Sequence, residues 1–354
     1  MPAFWTEPDY DDHELVEVVH DRASGLTAIL AVHSTHLGPA AGGTRFWHYA
    51  DPAGAMKDAL RLSRGMSYKN AMAGLPMGGG KAVVLLDAQR TKTPAMLAAF
   101  GDAIEALGGR YVTAEDVGAS EADMVAIRQR TEHVCGLPQA AGEAGGDPGP
   151  FTAMGIYLGL KAAVAHKLGK DKLAGVHIAV QGCGSVGGGL ARLLAKDGAR
   201  LTLADADGDK ARRLATELDA KAVDSGSVMS VACDVFSPNA LGAVLDDAGI
   251  ARLDCAVVAG GANNQLARRE HGAMLAERGI LYAPDYVINA GGIINVSLEY
   301  LCRRQGAPCD INDVRQRIAQ IPQRLRMIWR DSEASGLSPD VVADAMAQNL
   351  IGRG

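Results

Sequence analysis

A glycine-rich turn at residues 182–187, Gly-Cys-Gly-Ser-Val-Gly, is the feature that most restricts how this chain can fold. The apolar run before it, residues 177–181, predicts a strand, and the amphipathic run after it, residues 186–197, predicts a helix. In the G-x-G-x-x-G spacing the first glycine permits the tight turn. The second lets a phosphate approach the backbone, and the third lets helix and strand pack closely. The turn therefore predicts a parallel α/β domain that presents a helix N-terminus to a phosphate group.

Predicted strands and helices alternate along the rest of this half, as expected for a parallel sheet covered by helices. Helices are predicted at residues 152–167 and 209–218, and strands at 200–205, 254–260 and 280–283. Two more helices are predicted after them, at residues 312–332 and 340–350. Pro322 is expected to kink the first, while Ser338 and Pro339 supply the N-cap and first turn of the second.

Asp205 ends the second predicted strand of this domain, 23 residues after Gly182. A carboxylate there accepts hydrogen bonds from ribose hydroxyls and repels the 2′-phosphate of NADP. Asp207 adds to that repulsion and no arginine stands beside it, so we expect NAD as the cofactor. The alternative is a structural turn followed by a surface aspartate, since glycine makes up 43 of the 354 residues.

The first part of the chain has a different order of elements. Strands are predicted at residues 15–19, 26–32, 82–86 and 111–113, a turn at 21–25, and helices at 51–63 and 93–107. Residues 136–150 are rich in glycine and proline and predict a hinge. The predicted fold is α/β with two domains separated by a deep cleft. A substrate-binding and oligomerisation domain spans 1–140, a Rossmann domain spans 141–330, and a C-terminal helix at about 331–354 packs back on the first domain.

Two lysines, Lys69 and Lys81, stand twelve residues apart in an otherwise uncharged run. Lysine is rarely buried, so the usual interpretation is a pair of surface residues on a flexible loop. The apolar neighbours Met66 and Met77 argue against full exposure. The glycines at residues 78–80 are expected to let the chain turn sharply before the next strand.

Asp116 follows the short strand predicted at residues 111–113, in the segment Thr-Ala-Glu-Asp-Val-Gly. That position places it at the carboxyl end of a strand, where the functional sites of α/β proteins gather. The alternative is a structural role as the N-cap of a helix at residues 119–129.

Together these segments resemble the glutamate/leucine/phenylalanine/valine dehydrogenases. The resemblance rests on six motifs that occur in order between about residues 35 and 300, at 38–45, 75–84, 113–118, 146–152, 182–187 and 283–292. It implies reversible oxidative deamination, in which an amino acid, NAD⁺ and water give a 2-oxo acid, ammonium and NADH.

The resemblance also implies a role for each matching residue. Lys69 would bind the substrate α-carboxylate, Lys81 would be the catalytic base, and Asp116 would be its proton-handling partner. Gly42 and Gly43 would contact the substrate through the backbone. The nicotinamide side of the cleft would be lined by Asn263, counted with the substrate residues, and by Asn289 and Thr152, counted with the cofactor residues. The other cofactor residues would be Gly182, Gly184, Ser185, Val186, Gly187, Asp205, Ala259 and Gly260.

A lysine base must lose its proton near neutral pH, although lysine ordinarily titrates near 10.4. Burial and the neighbouring Lys69 are both expected to lower the pKa of Lys81, by about two units. Closure of the cleft around residues 136–149 would expel water and protect the iminium formed from the substrate.

The side-chain pocket is expected to be apolar, because the resemblance places Met66, Ala114, Ile293 and Val296 around it. This lining favours leucine and other branched-chain amino acids, with phenylalanine as the alternative. Ala41, at the mouth, is smaller than the leucine usual in the family, whereas Ile293 is larger than the valine usual in leucine enzymes. One methylene changes discrimination by only about 1–3 kcal/mol, so we expect overlapping substrates.

Two other classes of protein share the cofactor turn. A 2-hydroxy-acid dehydrogenase would need a histidine base, and a non-catalytic NAD-binding Rossmann protein would have no use for Lys69, Lys81 and Asp116 together. The net charge of −6 and the absence of a basic block argue against nucleic acid or membrane partners. The N-terminus lacks a leader pattern, and the six cysteines form no C-x-x-C pair. We therefore expect a cytoplasmic homo-oligomer with reduced thiols and no metal.

Overall fold

The computed structural model describes residues 3–87, 91–140 and 142–354. Contacts divide the chain into two compact units. Unit 1 holds Met1–Asp147, Ile293–Val314 and Met346–Gly354, and unit 2 holds Pro148–Gly292 and Arg315–Ala345. The predicted domain boundaries at 140 and 330 differ from these divisions, chiefly because Ile293–Val314 belongs to unit 1.

Each unit contains one sheet. The strands are β1 (Leu15–Asp21), β2 (Leu26–Ser34), β3 (Ala40–His48), β4 (Gly78–Leu86), β5 (Tyr111–Glu115), β6 (His177–Gln181), β7 (Arg200–Ala204), β8 (Lys221–Ala222), β9 (Val235–Pro238), β10 (Val257–Val258) and β11 (Leu281–Tyr282). The sheet of unit 1 has the order β1-β2-β4-β3-β5; β2 runs antiparallel to β1 and β4, and β3 runs parallel to β4 and β5. The sheet of unit 2 is parallel, with the order β11-β10-β9-β6-β7-β8. The predicted α/β class is confirmed.

Helices flank both sheets. They are α1 (Pro52–Met72), α2 (Pro94–Ala106), α3 (Glu121–Arg128), α4 (Gly149–Leu168), α5 (Ser185–Lys196), α6 (Gly208–Glu217), α7 (Asp247–Arg252), α8 (Glu270–Glu277), α9 (Asp285–Ile288), α10 (Gly291–Gln305), α11 (Ile311–Ile318), α12 (Ile321–Ser335) and α13 (Pro339–Leu350). None of the helices within the described ranges is both long and apolar enough to cross a membrane.

Strand β2 of unit 1 is buried on both faces, so apolar layers cover the sheet on either side. Leu26 and Leu30 belong to a cluster with Phe100 of α2, while Ile29 belongs to a cluster with Ala59 of α1. The pairing of Ala31 with Lys81 places Lys81 on the face that α1 covers. This face carries the candidate site.

Local caps explain where several helices begin. The Asp51 carboxylate accepts from the backbone N–H of Ala53 at the start of α1, and the Thr93 hydroxyl caps α2. Ser120 and Asp123 form a reciprocal capping box at α3. The interpretation of Asp116 as a helix N-cap is therefore wrong, because Ser120 occupies that position.

Three sequence predictions of local structure need correction. Helix α1 continues past the predicted end at residue 63 to Met72, so Lys69 lies on a helix and not on a loop. Residues 78–80 begin strand β4 instead of forming a sharp turn. The single helix predicted at 312–332 is two helices, α11 and α12. Pro322 lies in the first turn of α12, where a backbone N–H would have no partner within the helix, so proline does not disrupt it.

Helix α10, which the sequence analysis did not predict, holds much of the predicted hinge within unit 1. Asn295 exchanges two hydrogen bonds with the backbone of Gly145, and the Glu299 carboxylate accepts from the N–H of Gly136 at 3.0 Å. The chain passes between the units at four places, residues 147–148, 292–293, 314–315 and 345–346. Ala141, within the predicted hinge, lies outside the described residues, and the expected domain closure stays a prediction.

Candidate active site

Lys81 projects from the middle of β4 and donates a hydrogen bond to the Asp116 carboxylate, with Nζ 2.6 Å from Oδ2. Only 5% of Lys81 is exposed. Strand β3 lies between the two, with Gly43 paired to Ala114 of β5. A side chain at Gly43 would bring its Cβ within 2.8 Å of the Asp116 Cβ. Glycine in the intervening strand therefore leaves the room in which Lys81 and Asp116 meet.

Burial is the largest influence on the pKa of Lys81 and lowers it, while the Asp116 charge raises it and the Arg45 charge lowers it. The net pKa lies below the ordinary lysine value, so the predicted direction is confirmed. Arg45 is a neighbouring cation that lowers this pKa, and the expected contribution of Lys69 stays a prediction. Burial raises the pKa of Asp116, but Lys81 and Arg45 together bring it below its usual value.

Arg45 and Asp58 extend this pair into a network. The Arg45 Nε lies 3.1 Å from Oδ2 of Asp116, and its Nη1 lies 2.8 Å from Oδ2 of Asp58 on α1. The Tyr49 hydroxyl donates to the same Asp58 oxygen at 2.8 Å. Neither Arg45 nor Asp58 was predicted from the sequence to have a role. Arg45 stood at the end of a recognised motif, but Asp58 carried no signal beyond being a charge on an amphipathic helix.

Helix α1 crosses the glycines of β4 at close range. A side chain at Gly79 would overlap the backbone of Ser67, and a side chain at Gly42 would lie 3.2 Å from the Cγ of Met66. The Asn70 amide donates to the carbonyl of Gly78 at 2.6 Å. Gly79 thus serves close packing of α1 on β4, whereas a side chain at Gly78 would overlap the Ser34 carbonyl and one at Gly80 would meet the Tyr111 ring. Local turn rules could not reveal these tertiary contacts.

Lys69 is half-buried and stands eleven residues after Asp58 on α1. That separation is about three helical turns, so both residues lie on the same side of the helix. The structure therefore brings Lys69 to the helix face that carries the Arg45–Asp58 contact. Its contact with a substrate carboxylate stays a prediction.

Gly42 and Gly43 are enclosed by protein groups. A side chain at Gly42 would overlap the Gly80 carbonyl, and the Tyr111 hydroxyl donates to the Gly42 carbonyl at 2.7 Å. Packing alone therefore requires glycine at residue 42, and the expected backbone contacts with substrate stay predictions.

The predicted pocket residues all belong to unit 1. Ala114 and Val296 are buried, whereas Met66 and Ile293 are half-buried. Val296 faces the predicted hinge, with its Cγ1 3.7 Å from where a Cβ at Gly136 would stand. All four side chains are apolar, and their assembly into a side-chain pocket stays a prediction.

The glycine turn of unit 2 has the predicted local structure, between β6 and α5. Gly182 adopts a φ of +93°, which L side chains rarely take. A side chain at Gly187 would overlap the Gly182 carbonyl. At Gly184, by contrast, an added Cβ would meet nothing nearer than the Lys210 ammonium, 3.9 Å away. Gly182 and Gly187 therefore close the turn, and Gly184 leaves open space beside the helix N-terminus.

Asp205 follows β7 directly, and backbone donors hold its carboxylate. Oδ2 accepts from the N–H of Cys183 at 2.7 Å, and Oδ1 accepts from the N–H of Asp207 at 2.9 Å. Burial raises the pKa of Asp205, but these N–H groups and the charge of Lys210 bring it below the usual value. The sequence analysis missed Lys210, which offsets part of the negative charge that it had counted against NADP.

The remaining cofactor candidates cluster near the carboxyl ends of β9 and β10. Ala259 and Gly260 follow β10, and a side chain at Gly260 would overlap the Pro238 carbonyl. The Asn289 amide donates to Oδ1 of Asn263 at 2.8 Å. Among the described residues, no donor lies within hydrogen-bond distance of the buried Oδ1 of Asn289.

Thr152 and Asn239 hold the backbone around this cluster. The Thr152 hydroxyl donates to the Pro148 carbonyl at 2.9 Å in the first turn of α4. Asn239, which the sequence analysis missed, accepts from the N–H of Gly261 at 2.8 Å. These contacts fix the loops that the resemblance assigns to the nicotinamide.

These features of unit 2 fit a dinucleotide. The space beside Gly184 faces the N-terminus of α5, where orphan N–H groups favour a phosphate. Asp205 offers an ionised acceptor for ribose hydroxyls, and the unpartnered oxygen of Asn289 offers an acceptor for a ligand N–H or O–H. Over the part of the chain that the structure describes, no three His, Cys, Asp or Glu side chains form a potential metal site.

Comparison with known proteins agrees with this geometry. The Glu/Leu/Phe/Val dehydrogenase dimerisation domain matches residues 13–133, and the Glutamate/Leucine/Phenylalanine/Valine dehydrogenase domain matches residues 203–350. A leucine dehydrogenase of Geobacillus stearothermophilus is 46% identical over 341 residues, which cover 96% of this chain and 91% of the relative. A phenylalanine dehydrogenase of Bacillus thermotolerans is 43% identical over 358 residues, covering 99% and 91%.

Among solved structures, the crystal structure of L-tryptophan dehydrogenase from Nostoc punctiforme superposes with a TM-score of 0.82. It is 38% identical and covers 96% of each chain. The chain therefore belongs to the glutamate/leucine/phenylalanine/valine dehydrogenase family, and it is an amino-acid dehydrogenase that uses a nicotinamide cofactor.

Proposed function

We propose that this protein catalyses the reversible NAD-dependent oxidative deamination of an apolar L-amino acid, with leucine and other branched-chain amino acids favoured. The observation that carries the proposal is the contact of buried Lys81 with half-buried Asp116, with 2.6 Å between Nζ and Oδ2. A 2-hydroxy-acid dehydrogenase would need a histidine base in this position, and an NAD sensor would need no base. Neither alternative therefore explains why Lys81 and Asp116 contact each other.

The substrate assignment has two supports. Met66, Ala114, Ile293 and Val296 offer an apolar lining, which suits an apolar side chain. A leucine dehydrogenase is a close relative at 46% identity, and the phenylalanine dehydrogenase at 43% keeps phenylalanine as the alternative substrate.

The chemistry follows from the residues of unit 1. Lys69 binds the α-carboxylate as a compact cation on a flexible stem. NAD, when bound, accepts the hydride that leaves Cα of the substrate. Neutral Lys81 then takes a proton from the water that attacks Cα of the iminium, and Asp116 stabilises the ammonium that forms. Lys81 returns the proton to the amino group, which leaves as ammonia, and Asp116 accepts the hydroxyl proton as the 2-oxo acid forms.

In unit 2, the residues proposed to hold the dinucleotide are the turn at 182–187, Asp205, Ala259, Gly260, Asn289 and Thr152. Asp205 supports NAD over NADP because its carboxylate is kept ionised where a 2′-phosphate would stand. Asn263, hydrogen-bonded to Asn289, would lie between substrate and nicotinamide.

We further propose a homo-oligomer in the cytoplasm. Strand β1 is an edge strand, and its Val18 is 60% exposed, so this edge offers unpaired backbone groups and apolar surface to a second subunit. The match of residues 13–133, which include β1, to a dimerisation domain supports self-association. The six cysteines, which all lie in the described ranges, are free thiols and suit a reducing compartment.

The test is ammonium-dependent oxidation of NADH with a panel of 2-oxo acids. We expect 4-methyl-2-oxopentanoate and 3-methyl-2-oxobutanoate to turn over faster than phenylpyruvate, and 2-oxoglutarate to be poor. A faster reaction with phenylpyruvate would favour the alternative substrate. NADH oxidation that does not depend on ammonium, or no oxidation with any 2-oxo acid, would overturn the proposed reaction.

A further inference from the structure

Two cations share one oxygen of the Asp116 carboxylate. Lys81 Nζ lies 2.6 Å from Oδ2, and Arg45 Nε lies 3.1 Å from the same atom. The second arm of the Arg45 guanidinium reaches Asp58 at 2.8 Å. Arg45 therefore divides its charge between a carboxylate in the site and a carboxylate outside it.

The Arg45–Asp58 contact is fixed from several directions. Arg45 stands on β3 opposite Val83 of β4, which places it on the same sheet face as Lys81. The Tyr49 hydroxyl donates to Oδ2 of Asp58, and Arg61 lies 3.4 Å from Oδ1 of the same carboxylate. The Asp58 carboxylate thus accepts hydrogen bonds from Arg45, Tyr49 and Arg61, and these contacts fix the position of the Arg45 guanidinium.

We infer that Arg45 is a positioning residue for the deamination, and that Asp58 sets how strongly Arg45 draws on the Asp116 carboxylate, so that together they control proton transfer at Lys81. This inference rests on the proposed role of Lys81 as the base. Neither Arg45 nor Asp58 needs to touch the substrate for it to hold.

The charges around Lys81 come from several elements. Asp116 follows β5, Arg45 comes from β3, and Asp58 comes from α1, which also carries Lys69. Without Arg45, the Asp116 carboxylate would interact with Lys81 alone, and Lys81 would lose a neighbouring positive charge. Both changes would raise the pKa of Lys81. Without the charge of Asp58, Arg45 would act on Asp116 and Lys81 uncompensated, so Lys81 would release its proton more readily.

The two changes therefore predict shifts of opposite sign. Deamination needs neutral Lys81, so kcat/KM for L-leucine rises with pH through the pKa of Lys81. In Arg45→Gln the rising limb should move to higher pH by about one unit. The value of kcat/KM should fall approximately tenfold at pH values below the midpoint and return to the wild-type value above it. In Asp58→Asn the limb should move to lower pH.

Two matched variants complete the set. Arg45→Lys keeps the charge, but an ammonium lacks the planar guanidinium that contacts the Asp58 and Asp116 carboxylates together. The midpoint of its pH profile should therefore lie between those of the wild type and Arg45→Gln. Arg130→Gln removes an arginine of the same unit from an exposed pair with Asp102, 2.8 Å long, and should leave the profile unchanged. Thermal unfolding and NADH affinity establish that each variant is folded.

Shifts of Arg45→Gln and Asp58→Asn in the same direction, or lower activity at every pH with an unmoved midpoint, would overturn the inference and leave a structural role. A second measurement does not depend on turnover. The rate at which acetic anhydride modifies Lys81, followed by peptide mass against pH, reports its proton directly. Opposite shifts in that rate would support the inference even if the proposed reaction failed, and coincident curves would overturn it.

Discussion

The two candidate sites of this molecule are built in opposite ways. In unit 1, Lys81, Asp116 and Arg45 form a charged cluster, in which Lys81 is buried and the other two side chains are half-buried. Asp116 raises the pKa of Lys81, and Arg45 lowers it. In unit 2, the turn at 182–187 offers backbone groups and space where side chains are missing. The first site should therefore be sensitive to the loss of a side chain, and the second to the gain of one.

The largest effect is expected from Lys81→Ala, which removes the proposed base. We expect kcat to fall by about 10³-fold, within the range typical of general base catalysis, while the Kd for NADH changes less than twofold. Stopped-flow turnover and fluorescence titration of NADH measure the two quantities. Lys161→Ala, which breaks an ion pair with Asp197 in unit 2, is the control. Retention of most activity in Lys81→Ala would remove this lysine from the mechanism.

A single added methyl group should separate the glycines of the turn. In Gly187→Ala the Cβ overlaps the Gly182 carbonyl, so we expect the free energy of unfolding to fall by about 1–3 kcal/mol together with NADH binding. In Gly184→Ala the Cβ enters open space, so stability should change by less than about 0.5 kcal/mol. The NADH affinity of Gly184→Ala should nevertheless fall by about 100-fold, or 2.7 kcal/mol.

Chemical denaturation and NADH titration of the two variants give this comparison. Equal destabilisation by both substitutions would mean that the space beside Gly184 is needed for folding and not for a phosphate. Unchanged NADH affinity in Gly184→Ala would contradict the proposed position of the dinucleotide.

A smaller effect is expected at Asp205, whose carboxylate is proposed to favour NAD over NADP. Asp205→Asn removes the charge that opposes a 2′-phosphate, while Lys210 stays nearby. We expect the ratio of kcat/KM for NAD to that for NADP to fall by about tenfold, which is 1.4 kcal/mol. Steady-state kinetics with both cofactors measures it, with Asp247→Asn, in an exposed ion pair of unit 2, as the control. A ratio that rises, or that moves only in the control, would assign discrimination to another residue.

The smallest effect is expected in the apolar pocket. Ala114→Gly removes one methyl group from a buried position of β5 and should shift preference from leucine toward phenylalanine by about fivefold, or 1 kcal/mol. The ratio of kcat/KM for the two amino acids measures this shift. Equal losses for both substrates would place Ala114 outside the side-chain pocket.

The comparison also explains which features the sequence could reveal. The cofactor turn is local, since strand, three glycines and helix follow one another within residues 177–197, and its structure was predicted. The network around Asp116 is not local, because Arg45, Asp58 and Lys81 meet only through the order β4-β3-β5 and the path of α1. Motif resemblance indicated Lys81 and Asp116, but nothing in the spacing of Asp58 linked it to them.

The glycines at residues 78–80 show the limit of local rules most clearly. Three consecutive glycines usually indicate a turn, yet here they form a strand. Tertiary packing explains the difference, because α1 lies so close to β4 that a side chain at Gly79 would overlap Ser67. Helix α10 was not predicted from the sequence either. The hydrogen bonds from its Glu299 and Asn295 to the backbone of Gly136 and Gly145 could therefore not be predicted.

We propose that Asp116 governs the proton on Lys81, and the pH dependence of kcat/KM for L-leucine in wild type and Asp116→Asn tests this role most directly. The substrate amino group titrates identically with both enzymes, so a difference in midpoint belongs to the protein. Asp116 raises the pKa of Lys81 against the effect of burial, so its neutralisation should lower that pKa. We predict a rising limb that lies below pH 10.5 in the wild type and moves to lower pH in Asp116→Asn, with a reduced plateau. A midpoint that stays in place or moves to higher pH would contradict the account.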